Sequence, residues 1–72
     1  MNLEKCLEDA ISRHQASRLQ EAEQLYRSIL KAEPEHPDVN HNLGLLLMQL
    51  KQVDNALEFF IIAVNANPST IQ

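Results

Sequence analysis

Three histidines and several carboxylates are the residues of this chain whose types could bind a metal ion. The histidines are His14, His36 and His41, and the carboxylates around the last two are Glu33, Glu35 and Asp38. Imidazole and carboxylate groups are ligands that zinc accepts. Residues five apart do not share one helix face, however, so a helix would not align His36 with His41. The spacing argues against a zinc site, and no metal or other cofactor is predicted.

Nucleophilic side chains are also present as four serines and one cysteine. The pattern fixes no histidine and acid beside any serine, and a chain of 72 residues offers no deep pocket. Cys6 falls on the apolar side of a predicted helix, where a small buried thiol is the usual explanation. A reactive thiol would require that this helix be exposed. We therefore predict no catalytic residue and no enzyme activity.

Charge and composition exclude several classes of partner. Ten acidic and six basic side chains give a net charge of −4 at pH 7, which repels phosphate backbones and anionic membrane surfaces. No stretch approaches 18 apolar residues, and no signal peptide is visible. The single cysteine rules out an internal disulfide bond and fits a reducing compartment. These features predict a cytoplasmic protein that binds neither nucleic acid nor membrane.

The chain repeats itself with a period of 34 residues. At that offset Ala10 aligns with Gly44, Leu19 with Val53, Ala22 with Ala56, Tyr26 with Phe60, Leu30 with Val64 and Pro34 with Pro68. Each pair keeps the size or the character of the side chain, as tandem structural repeats do. We therefore interpret residues 1–72 as one domain of two repeats, at about 3–36 and about 37–70.

Apolar residues recur at three- and four-residue steps in each repeat, which is typical of amphipathic helices. Asn2 can cap the first helix, and Pro37 suits the first position of the third. Pro34 and Pro68 mark helix ends, because the residue before a proline is driven out of the α region. The pattern predicts antiparallel neighbouring helices near residues 3–16, 19–33, 37–50 and 53–66.

Two hairpins with this pattern resemble the tetratricopeptide repeat family. The second repeat carries the signature in Leu43, Gly44, Leu47, Ala56, Phe60, Ala63 and Pro68, and the first keeps Ala10, Ala22, Tyr26 and Pro34. The resemblance covers residues 3–68 and implies an all-α fold, a short right-handed α-solenoid of two helix-turn-helix hairpins. The small residues would let paired helices approach closely.

The chain departs from the family pattern at three positions of each repeat. The usual aromatic residue is Cys6 or Asn40, the usual tyrosine is Arg13 or Leu47, and the glycine between the helices is Ser17 or Lys51. A left-handed backbone conformation costs a non-glycine residue on the order of 1 kcal/mol. We therefore expect strain at Lys51 if the family's turn geometry is kept.

The resemblance also implies a groove, lined by the first helix of each repeat, that binds a peptide in extended form. The residues predicted to line it are Glu8, Ile11, Asp38, His41, Asn42, Leu45, Met48 and Gln49. Asn42 resembles the asparagine with which some family members bind peptide backbone, and an amide can donate and accept at once. Glu8 and Asp38 favour ligands with basic or neutral polar groups. The alternative is a solvated helix face without a ligand.

The fourth predicted helix is apolar on nearly all sides, and such a helix is normally covered. We predict that its residues Leu57, Phe59, Ile61 and Ile62 form a surface that packs against a following repeat or a second copy of the chain. The chain would then be a homo-oligomer through residues 53–66. A two-fold contact and a head-to-tail contact with the first helix of the next copy both remain open.

The sequence thus predicts a protein–protein interaction module, a scaffold that binds a peptide or assembles with itself. An alternative follows from the resemblance, because similar bacterial repeats often precede transferase domains. On that hypothesis the residues are the N-terminal, substrate-recruiting segment of a larger transferase such as a glycosyltransferase. Residues 69–72 look like the opening of another helix, which favours a truncated chain.

Overall fold

The computed structural model describes residues 2–66, and four α-helices form most of this part of the chain. They are α1 (Leu3–Gln15), α2 (Leu19–Ala32), α3 (Pro37–Gln49) and α4 (Val53–Ala66). The predicted all-α fold is confirmed, and every helix end lies within one residue of its predicted place. The predictions about Pro68 and residues 69–72 lie outside the described residues.

The helices form two hairpins that pack side by side. The first hairpin is α1 with α2, the second is α3 with α4, and α3 also contacts both helices of the first hairpin. None of the helices in residues 2–66 is long and apolar enough to cross a membrane.

Each hairpin begins with a capped helix. The Asn2 side chain accepts a hydrogen bond from the backbone N–H of Lys5 (3.1 Å) and caps α1. The Nδ1 atom of His36 accepts one from the backbone N–H of Val39 (3.3 Å), and Pro37 occupies the first turn of α3. Both caps satisfy a backbone donor that has no partner within the helix.

The turn inside each hairpin has the same geometry. After α3, the N–H of Gln52 donates to the Leu47 carbonyl (2.8 Å), and the N–H of Lys51 donates to the Met48 carbonyl (3.0 Å). These two backbone hydrogen bonds form the Schellman motif, which needs a residue in the left-handed region. Lys51 takes that conformation with a φ of 63°, and Ser17 takes it after α1 with a φ of 65°. The turn geometry expected from the pattern is therefore kept without glycine.

One apolar core joins the two hairpins. Its fully buried members are Ala10, Ala22, Tyr26, Ile29, Val39, Leu43, Leu46, Leu47 and Ala56. Small residues occur where the helices are close, as the repeat pattern predicted. The first hairpin is fixed against the second through α3, which positions the surfaces described next.

Candidate functional site

The contact between the hairpins includes a buried polar residue that sequence reasoning did not single out as structural. Asn40 on α3 is fully buried, and its Nδ2 donates to the backbone carbonyls of Pro34 (3.1 Å) and His36 (2.9 Å). Its Oδ1 is buried and has no hydrogen-bond partner. The side chain therefore fastens the connection between the hairpins to α3. The one indication of this burial in the sequence was that Asn40 stands where the family usually has an aromatic residue.

Three side chains that hydrogen-bond to one another join α1, α2 and α3. The Nδ1 of His14 lies 3.1 Å from the hydroxyl of Tyr26, and its Nε2 bonds to Oε1 of Gln49. In the tautomer with the proton on Nε2, the ring donates to the Gln49 oxygen and its Nδ1 accepts from the Tyr26 hydroxyl. Burial raises the pKa of the Tyr26 phenol. These two bonds connect α1 with α2 and with α3.

The residues predicted to line a groove lie on α1 and α3, and we call this set the inner face. It consists of Glu8, Ile11, Asp38, His41, Asn42, Leu45, Met48 and Gln49. Asn42 and Ile11 are half-buried and the other six are exposed. Leu45 and Met48 keep 44% and 46% of their surface in water, although both are large and apolar. Two of the residues already have partners, since Gln49 bonds His14 and the His41 ring packs 5.7 Å from that of Phe60.

The four residues predicted to form one surface on α4 lie on two sides of that helix. Leu57 and Ile61, four residues apart, are 52% and 59% exposed. Phe59 and Ile62 are half-buried and line a shallow cavity of about 400 Å³ between α2 and α4. The Arg27 guanidinium lies over the Phe59 ring at 5.6 Å from its centroid. Residues 57 and 59 differ by about 200° around a helix, which explains the separation.

Val53 and Val64 complete the exposed side of α4. They are 48% and 44% exposed and continue the line of Leu57 and Ile61 at steps of four and three residues. We call Val53, Leu57, Ile61 and Val64 the α4 stripe. The two valines are the repeat counterparts of Leu19 and Leu30, and they were not among the residues predicted for the exposed surface of α4.

The three histidines each have a structural partner. His36 caps α3, His14 bonds Tyr26 and Gln49, and His41 packs on Phe60. Within residues 2–66, no group of three or more histidine, cysteine, aspartate or glutamate side chains could hold a metal ion. Cys6 is half-buried and packs against the core.

The family model described as tetratricopeptide repeat matches residues 13–72, which is most of the chain. No curated protein and no solved structure matches it.

Proposed function

The chain belongs to the tetratricopeptide repeat family, and we propose that it is a protein-binding module that holds an extended peptide on the inner face. Repeats of this family generally serve as non-catalytic scaffolds for protein interaction. The proposal adds the surface, the residues and the kind of ligand.

The observation that carries the proposal is the exposure of Leu45 and Met48 among polar side chains. Large apolar residues left in water on one helix face form a patch that a ligand can cover. Asn42 lies between them and the acidic Asp38 in the sequence, and its amide could donate and accept for one peptide unit. Apolar residues beside an amide suit a peptide in extended form, because the apolar residues can contact its side chains and the amide can hydrogen-bond its backbone.

The charges of the inner face favour a basic or neutral polar ligand. Its ionised side chains are Glu8 and Asp38, both exposed, and the whole chain carries a net charge of −4. Opposite charge on a peptide would raise the rate of association and exclude acidic competitors.

The bond between His14 and Gln49 supports the same proposal. It links α1 to α3 before any ligand arrives, so the two halves of the inner face are already held together. A surface that is ordered in advance loses less conformational entropy on binding.

Random-sequence peptides displayed on phage, selected against the immobilised chain, would provide a ligand for calorimetric titration. We expect Asn42→Ala to weaken a selected peptide by roughly 1–3 kcal/mol, because a polar partner is lost. Glu35→Ala changes an exposed residue between the hairpins and should leave the affinity unchanged. Equal effects of the two substitutions, or no effect of Asn42→Ala, would contradict the proposal.

A longer protein in which the repeats precede a transferase domain would use the inner face in the same way, to recruit its substrate. The native reading frame distinguishes that alternative, since it would continue into an α/β domain.

A further inference from the structure

We propose that the α4 stripe binds the α4 stripe of a second copy of this chain, antiparallel and about a two-fold axis, to give a closed dimer. The proposal goes beyond peptide binding at the inner face and does not depend on it. Four observations lead to it.

The first observation comes from comparing α2 with α4. Residues of α2 that pack against the second hairpin have exposed residues at the matching repeat positions of α4. Arg27 covers the Phe59 ring, and Leu30 lines the cavity that Phe59 and Ile62 also line. The residues 34 positions later are Ile61 and Val64. Both belong to the α4 stripe. Positions that α2 uses to pack against the next hairpin are therefore exposed to solvent on α4.

The second observation is the chemistry of the α4 stripe. In the first hairpin the matching positions are Leu19, Glu23, Arg27 and Leu30, and Glu23 pairs with Arg27 at 2.9 Å. On α4 all four positions are apolar, and each residue is between 44% and 59% exposed. Removal of this surface from water favours association.

The third observation is that the opposite end of the molecule is polar. Gly44 contacts Phe60 of α4, so the other buried side of α3, formed by Val39, Leu43 and Leu46, faces the first hairpin. The matching positions of the first hairpin are Lys5, Asp9 and Ser12, and all three are exposed.

That polar end decides between the two arrangements left open by the sequence. A head-to-tail contact would place Lys5 and Asp9 against the apolar α4 stripe, and removal of both charges from water is unfavourable even where the two pair with each other. The first hairpin therefore presents a polar surface, as the capping repeat of a solenoid does. Of the two arrangements, the two-fold contact is the one that gives the α4 stripe an apolar partner, which is the same stripe of the second copy.

The fourth observation is that the α4 stripe is self-complementary. Its members recur at steps of four, four and three residues, so they follow one side of the helix. In an antiparallel pair, Leu57 of each copy lies opposite Ile61 of the other. The stripe contains no charged residue, so no like charges come together at its centre. Asp54 and Glu58 lie beside the stripe and stay at the edge of the contact, where water reaches them. A two-fold contact of this kind closes at two copies.

Sedimentation equilibrium of the whole chain from micromolar to millimolar concentration tests the proposal. We expect a monomer–dimer equilibrium with no larger species. Leu57→Lys combined with Ile61→Lys should weaken dimerisation at least 100-fold with an unchanged circular dichroism spectrum. The spectrum is kept because both side chains are already half in water and each new lysine lies three residues after an acid on the helix.

Ser12→Arg is the matched control, since it alters the exposed outer side of α1 and not α4. It should leave the dimerisation constant unchanged. A wild-type chain that stays monomeric at millimolar concentration would overturn the proposal, and so would a double-lysine variant that dimerises as well as wild type. Oligomers larger than a dimer, or association that Ser12→Arg weakens, would overturn the two-fold contact and indicate a head-to-tail one.

Discussion

A Cβ atom placed on Gly44 would lie 2.7 Å from Cε1 of Phe60 and within 2.9 Å of two further atoms of that ring. The Phe60 ring therefore packs on the α3 backbone in space that a side chain on residue 44 would need. The first hairpin has Ala10 and Tyr26 at the matching positions and buries both completely. The packing of Phe60 in the second hairpin thus depends on the missing Cβ atom of residue 44.

Gly44→Ala should lower the free energy of unfolding by about 1 kcal/mol. Helix propensity favours alanine by about 1 kcal/mol, but overpacking against the ring costs about 1–3 kcal/mol. In a Phe60→Leu background the ring is gone, so the same substitution should stabilise the chain. Urea unfolding of the four variants measures both effects. Equal changes in the two backgrounds would show that the Phe60 ring does not limit residue 44.

Lys51→Gly should raise the free energy of unfolding by about 0.5–1 kcal/mol. Lys51 holds a φ of 63°, which disfavours any residue with a Cβ atom, and glycine adopts it freely. Lys51→Ala is the control, because it removes the charge and keeps the strain. Thermal unfolding should place alanine near wild type and glycine above both, whereas equal midpoints for glycine and alanine would refute the strain.

Asn40→Ala should destabilise the chain by about 1–3 kcal/mol, since two backbone carbonyls lose their donor. Asn40→Asp should be worse at neutral pH, because a buried carboxylate would face those carbonyls. Its deficit should shrink as the pH falls and the carboxyl group takes up a proton. Asn42→Ala, on the accessible side of the same helix, should change stability little. Denaturant unfolding at neutral and acid pH compares the three variants.

The Tyr26 hydroxyl should make stability fall at high pH. Burial raises the pKa of this phenol above its ordinary value of about 10. The unfolded chain therefore loses the proton first, so the stabilisation is complete below about pH 10 and is lost as the pH rises through the pKa of the folded state. Tyr26 is the only tyrosine, so phenolate absorbance reports it alone.

Tyr26→Phe is the control for that titration. It removes the ionising group, while the lysines that also titrate at high pH remain, so its stability should decline less between pH 9 and 11 than that of wild type. Parallel declines in the two proteins would show that burial of Tyr26 does not contribute to the alkaline loss.

The sequence by itself determined the secondary structure and the way each hairpin is built. The 34-residue period and the apolar steps gave four helices whose ends lie within one residue of those observed, and α4 matches at both ends. Helix ends are local events, set by caps such as Asn2 and by prolines such as Pro37. Pairs such as Gly44 with Phe60 recur in each repeat, so the packing inside a hairpin could also be predicted.

Only the tertiary structure decided which helix faces are covered. A periodic pattern locates a side chain around its own helix axis, but it does not say which neighbouring helix lies there. Phe59 and Ile62 are therefore sheltered beside α2 while Leu57 and Ile61, equally apolar, stay in water. For the same reason the burial of Asn40 could not be predicted, because its partners are backbone carbonyls that the chain brings to it only when the two hairpins pack together.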